Sequence, residues 1–217
     1  MTSYSEIRRK MGSSDGGTAV RSWAADVLAD VMVGRRPAVA VHHPLGFLCL
    51  PVDRSADGGV CIHLWSAEFA AVRLTTTAIH CHSWDLLSFV LLGQVRNEVF
   101  DVADEPVRPS WRVYEVRSSG DVDEIVATPQ LVSGRSASVQ DHRAGRAYEL
   151  RAGDFHTTTV PGGHEAATVV LARTRPGLAD RSLGPVDGHT HRVRRQSCNA
   201  EVTVRAASTV LERIASG

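Results

Sequence analysis

The chain has 217 residues, of which 43% are hydrophobic and 22% charged, a composition that argues against wholesale disorder. Twenty-four basic residues balance 24 acidic ones, so the formal net charge is zero and no nucleic-acid partner is expected. No apolar run is long enough to cross a membrane, and the polar N-terminus lacks an apolar signal segment. The four cysteines include no Cys-x-x-Cys pair. These features predict a cytoplasmic protein without a membrane partner or a disulfide scaffold.

The predicted elements begin with residues 1–18, a polar stretch that we expect to be a flexible tail. Residues 19–33 have apolar side chains at helical spacing and are followed by Gly34, which predicts a helix. From about 38 to 175, short β-prone runs alternate with Gly, Pro and Asp turns, a pattern typical of a sandwich or barrel. Residues 173–191 are predicted to be loop and about 200–215 a final helix. We expect one all-β domain over 19–217 with flanking N- and C-terminal helices.

Two histidines, His80 and His82, lie two residues apart in one of the β-prone runs. Since strand side chains alternate, both rings point to one face, while Cys81 points away and is expected to be a core thiol. If that face lines a barrel, the two imidazoles converge on one ion. The alternative is a chance pair with one ring at the surface.

A second segment contains Gly145, Gly153 and His156, followed by two β-prone runs around a Pro-Gly-Gly turn. Together with His80 and His82, it resembles the two sequence motifs of the cupin superfamily over residues 70–175. The resemblance implies a cupin double-stranded β-helix, or jelly-roll barrel, with His80, His82 and His156 as metal ligands. His164, which follows the same turn, is the alternative third ligand.

The motifs depart from the usual cupin pattern at several positions. Leu86 occupies the place of the metal-binding glutamate, and Leu74, Arg151 and Val160 replace a glycine, a proline and an asparagine. A three-histidine pattern without an acid resembles the thiol dioxygenases of the cysteine dioxygenase type. That resemblance implies Fe(II), with Zn, Mn or Ni as alternatives, and oxidation by O2 of a small thiol or another small metal-chelating substrate.

Further candidates follow from the chemistry that such a centre requires. Tyr114 and Tyr148 could donate a hydroxyl to bound oxygen, although core packing is the commoner role of a buried tyrosine. Asp85 is a candidate catalytic carboxylate. Trp84 and Asp85 follow the histidine pair directly, where loops at a barrel mouth often determine specificity.

A substrate carboxylate would need a cationic anchor, for which Arg73 and Arg112 are the candidates, against the commoner role of a surface arginine. His63 lies on a predicted strand from which it could reach the neighbourhood of a ligand ring. His189 and His191 repeat the spacing of the first pair, but they lie among turn residues and are not expected to bind a metal.

Two other classes of function remain open at this point. A metal-dependent isomerase, lyase or hydrolase would use Zn, Mn or Ni as a Lewis acid and consume no O2. A non-catalytic cupin would bind a small ligand without a stoichiometric metal. A homodimer is a further expectation, because exposed strand edges favour pairing between copies.

Overall fold

The computed structural model describes residues 3–13, 15–55, 58–69 and 74–216. These ranges contain three α-helices, α1 Ser3–Met11, α2 Gly16–Met32 and α3 Ala200–Ala215. The predicted C-terminal helix is confirmed, and α2 begins three residues before the predicted start. α3 begins where the Asn199 side chain accepts a hydrogen bond from the backbone N–H of Val202 at 2.8 Å.

Most of the remaining described chain forms 14 strands, and every pairing between them is antiparallel. In chain order they are β1 Val41–His42, β2 Leu48–Ser55, β3 Gly58–Trp65, β4 His80–Cys81, β5 Trp84–Leu92, β6 Gln94–Asp104, β7 Trp111–Ser119, β8 Val122–Arg143, β9 Ala147–Leu150, β10 Phe155–Thr159, β11 Ala166–Thr174, β12 Asp180–Gly184, β13 His191–Arg194 and β14 Gln196–Ser197.

The strands form two seven-stranded sheets. The first has the order β14-β1-β2-β3-β11-β5-β9 and the second the order β13-β8-β6-β10-β4-β12-β7. The long strand β8 also pairs with β7, so the second sheet bends back on itself. The protein is therefore mostly β, with two large antiparallel sheets and flanking helices.

The helices cover one face of the first sheet. Because side chains alternate along a strand, Val60, Ile62 and Leu64 of β3 face the helices and are nearly fully buried. Val20 and Leu28, one helical face of α2, belong to the same apolar cluster. This packing fixes the direction of the intervening residues, so Cys61, His63 and Trp65 face the opposite side.

A second apolar cluster lies between the two sheets. Leu86, Val90 and Val170 of the first sheet pack there, and Val99 of β6 joins them from the second sheet. Trp84 also packs against this cluster. The space between the sheets is therefore lined by alternate residues of β5, β11 and β6. The buried His156 of β10, which lies opposite Val99, faces the same space.

Two predictions of secondary structure are wrong. Residues 3–11, predicted to be part of a flexible tail, form α1, because Ile7 is fully buried against the helix-covered core. Residues 180–184, predicted to be loop, form β12 between β4 and β7, where Leu183 is fully buried.

None of the helices in the described ranges combines the length and apolarity needed to cross a membrane.

Candidate metal centre

Three histidines from two neighbouring strands form a compact group. His80 and His156 lie directly opposite each other in the β4–β10 pairing, so their side chains project from the same face. The His80 ring centroid lies 4.4 Å from that of His156 and 4.7 Å from that of His82. One ring nitrogen from each histidine lies within 4.8 Å of those of the other two. The structure thus brings the three predicted ligands together.

Backbone carbonyls orient two of these rings. His80 Nδ1–H donates to the carbonyl oxygen of Ala78 at 2.9 Å, and His156 Nδ1–H donates to that of Asp154 at 2.9 Å. Each bond leaves Nε2 unprotonated, with its lone pair available to an ion. The His82 ring stacks on Trp84 at a centroid distance of 4.0 Å and an interplanar angle of 21°.

Burial keeps the three rings neutral. It is the largest cause that lowers the pKa of His80 to about 3, and the neighbouring His156 contributes. Burial also lowers the pKa of His82 and His156. Neutral imidazoles are the ligand form for divalent transition metals, so the group does not need to lose protons at pH 7 before it binds an ion.

The group has no acidic member among the residues that the structure describes. Leu86, which the sequence resemblance aligns with a metal-binding glutamate, packs in the apolar cluster between the sheets. Asp85 lies on the other face of β5, where its carboxylate accepts hydrogen bonds from Ala152 N at 3.1 Å and Arg175 Nε at 2.6 Å. A cavity of about 500 Å³ on that side is also lined by Tyr4 of α1. The structure therefore does not bring Asp85 to the histidines.

His164 is exposed and lies beside a different cavity, of about 680 Å³, together with Gln94 and Arg143. It does not belong to the three-histidine group. The reason is the direction of the chain, because β10 ends at Thr159 and the Pro161–Gly163 turn carries His164 beyond the pairing with β4. The geometry thus favours His156 over His164 as the third ligand.

Two further candidates are held by backbone carbonyls. Tyr114 is buried, and its hydroxyl donates to Pro185 O at 2.8 Å. Arg112 donates from Nε to Val186 O at 2.8 Å and from Nη1 to Thr128 O at 2.6 Å. No described contact joins either side chain to the three histidines. Arg73, the other predicted anchor, lies outside the described residues.

Tyr148 faces the space between the sheets. It lies opposite Ser88 in the β5–β9 pairing, and its ring stacks on His142 at 4.4 Å. Burial raises its pKa. Nearby, Asn97 accepts a hydrogen bond at Oδ1 from Thr158 Oγ1 at 2.8 Å. Tyr148 thus belongs to a polar patch with Ser88 and Asn97, and no described contact joins it to the three histidines.

Two buried hydroxyls in this region have no hydrogen-bond partner among the described residues, Thr168 Oγ1 and Ser182 Oγ. Ser182 lies directly opposite His80 in the β4–β12 pairing, so its hydroxyl is on the same face as the histidines. A buried hydroxyl without a partner costs free energy unless a ligand or water binds it. Sequence analysis missed Ser182 because the segment containing β12 was predicted to be loop.

A second group also escaped the sequence analysis. Cys49, Cys61 and His63 each offer one ligand atom, and these atoms lie within 4.8 Å of one another. Interaction with the Cys49 thiol lowers the pKa of Cys61 against the effect of burial, and His63 lowers it further. The alternation applied to His80 and His82 would also have placed Cys61 and His63 on one face.

No protein-family model matches the chain, and no curated protein matches it.

Proposed function

We propose that this protein is a mononuclear non-haem iron dioxygenase of the cupin type, similar to cysteine dioxygenase, which oxidises a small thiol or another small metal-chelating substrate with O2. The observation that supports it is the convergence of His80, His82 and His156 without a carboxylate ligand. The two antiparallel sheets around this group are consistent with a jelly-roll barrel.

The donor set fits iron(II). Imidazole nitrogen is a good ligand for iron, and the Nδ1–H bonds of His80 and His156 leave both Nε2 atoms free to bind it. Three neutral ligands leave the full 2+ charge on the ion and leave coordination positions free for substrate. Iron(II) held there would supply the redox chemistry by which O2 oxidises a coordinated thiol.

The surrounding residues would bind and orient the substrate. The charged or titratable groups that shift the pKa of the three ligands are other histidines and Asp154, with no described arginine among them. Consequently the ion itself would be the main positive charge, which favours a substrate that binds through an anionic donor such as a thiolate. Ser182 Oγ, beside His80, is available to a polar group of that substrate.

The first experiment measures the metal content of anaerobically handled protein and then O2 uptake with a panel of thiols, amino-acid thiols first. We expect about one iron per chain at the three-histidine centre, in line with a single mononuclear site, and thiol-dependent O2 uptake. His156→Ala should abolish both, because it removes one of three ligands.

The matched control is His164→Ala, which removes the exposed histidine of the same hairpin and should leave iron and O2 uptake unchanged. Iron that survives His156→Ala would contradict the proposal. Stoichiometric zinc, manganese or nickel that is lost in His156→Ala protein, without O2 uptake by the native protein, would replace it with Lewis-acid chemistry. If the protein binds no metal after reconstitution, the interpretation that remains is a protein that binds a small ligand without a metal.

A further inference from the structure

The inner face of the first sheet carries a cluster of soft ligands. Cys49 of β2 lies directly opposite His63 of β3, and Cys61 lies two residues from His63 on the same face of β3. Sγ of each cysteine and one His63 ring nitrogen lie within 4.8 Å of one another. Two thiolates and an imidazole on one tetrahedral zinc ion would have donor atoms roughly 3.8 Å apart, given a Zn–S bond of about 2.3 Å. The three donors are therefore near the separation that such an ion requires.

The strand register disfavours a disulfide as the explanation for this cluster. Cys61 lies opposite Pro51, so Cys49 and Cys61 are diagonal neighbours and not a directly opposed pair. Diagonal neighbours in antiparallel strands are roughly 7–8 Å apart, whereas a disulfide requires Cα atoms no more than about 7 Å apart. Both cysteines are free thiols. An ion bound between the two sulfurs does not require so short a separation of the two Cα atoms.

Aromatic rings surround the imidazole of this cluster. The His63 ring centroid lies 4.5 Å from that of Phe47 and 5.8 Å from that of Trp65. Phe47 in turn stacks on His43 at 4.3 Å. These rings restrict the His63 imidazole, as the packing around a metal ligand commonly does. Cys61 and His63 are only half-buried, which leaves a path by which an ion can enter.

We propose that Cys49, Cys61 and His63 form a second metal site, distinct from the three-histidine centre, that binds Zn2+ through two thiolates and one imidazole. Thiolates select zinc over iron(II) because they are softer donors, whereas three imidazoles accept either ion. The protein would then hold two different metals in separate sites. Both cysteines bind the ion as thiolates, so a proton still held by either thiol is released when the ion binds.

Cobalt(II) provides the test, because a thiolate ligand gives cobalt a charge-transfer band in the near ultraviolet that imidazole ligands do not give. The full chain, reduced and freed of metal, is titrated with Co2+ up to two equivalents per chain. We expect the thiolate band to grow with cobalt and then to disappear when Zn2+ is added. It should persist in His80→Ala/His156→Ala protein, so failure of the iron proposal does not affect this result.

Cysteine variants identify the ligands. Cys49→Ser and Cys61→Ser each remove one of the three ligands and should each abolish most of the band, and the double variant should abolish it entirely. Cys198→Ser, which changes a half-buried cysteine outside the cluster, should leave it unchanged. Zinc should also protect the half-buried Cys61 of the native protein from DTNB relative to the metal-free protein, a measurement that needs no variant. Absence of the thiolate band in reduced native protein would overturn the proposal, as would a band that depends on Cys198.

Discussion

Two His-x-His pairs in this chain share a spacing and a local hydrogen bond but differ in their neighbours. His80 Nδ1 bonds to Ala78 O and His191 Nδ1 bonds to His189 O, each at 2.9 Å and each two residues back. β4 lies inside its sheet between β10 and β12, and β10 places His156 opposite His80. β13 lies at the sheet edge, with Ile125 opposite His191. The neighbouring strand, and not the motif, determines whether three imidazoles converge.

The largest expected effect directly tests this difference between the two histidine pairs. His80→Ala should lower the affinity for Zn2+ or Fe2+ at the three-histidine centre by roughly 1000-fold. Loss of a residue that only hydrogen-bonds to a metal ligand already costs about 10–100-fold. His191→Ala should leave the affinity unchanged. Competition with a chromophoric chelator measures both, in protein that also carries Cys49→Ser and Cys61→Ser so that only this centre is titrated. Equal losses in the two variants would show that the motif alone suffices to bind the metal.

The edge strand that carries His191 is held by a buried ion pair. Arg195 donates to Asp123 from Nη2 at 2.6 Å, and the Asp123 side chain is 10% exposed. Asp123→Asn should reduce the free energy of unfolding by about 2 kcal/mol, less than a fully buried pair costs because Arg195 is partly exposed. Metal affinity should not change. Urea denaturation measures the loss, and Asp141→Asn, in the exposed pair with Arg96, should cost less.

This ion pair also predicts a pH dependence. Burial raises the pKa of Asp123, but hydrogen bonds from Arg195 and Ser118 outweigh it and the pKa is lowered overall. A carboxyl whose pKa is lower in the folded state stabilises the fold above its unfolded value of about 3.9, and this stabilisation is lost as the pH falls through the folded value. The difference between native and Asp123→Asn protein should therefore be constant near neutrality and shrink below about pH 4. A constant difference down to pH 2 would exclude this titration as its source.

Trp84 provides a smaller test, because its ring restricts His82 by stacking at 4.0 Å. Trp84→Leu should lower metal affinity by about tenfold, the lower range for a residue that orients a ligand. The matched variant is Trp111→Leu, which alters the apolar cluster around Val113 and Leu183. Both should lower stability, but only Trp84→Leu should weaken metal binding. Equal metal affinities would mean that the stacking does not position His82.

Local alternation was enough to predict part of the centre. It placed His80 and His82 on one face and Cys81 and Asp85 on the other, because direction along a strand depends only on residue parity. Motif spacing indicated His156 as the third ligand. The choice between His156 and His164 became clear only with the β4–β10 pairing, which joins residues far apart in the sequence.

Other roles could not be predicted because they depend on contacts between distant segments. The partners of Tyr114 and Arg112 are carbonyls of Pro185 and Val186, 71 and 74 residues away. Ser182 acquired its position opposite His80 only when β12 inserted between two strands, although its sequence reads as loop. Such pairing outweighs local propensity, since strand formation is mostly determined by neighbours.

The smallest expected effect tests whether a loss of stability alone changes the metal affinity of the three-histidine centre. Asn199→Ala removes the cap of α3, which packs on the outer face of the first sheet, away from both histidine pairs. It should lower stability by about 1 kcal/mol and the melting temperature by about 2–4 °C, without a change in metal affinity. Asn199→Asp, which keeps an acceptor for the Val202 N–H, should retain most of the stability. If Asn199→Ala also weakened metal binding, the losses in the Trp84 and His80 variants would have to be corrected for global destabilisation before they are attributed to the centre.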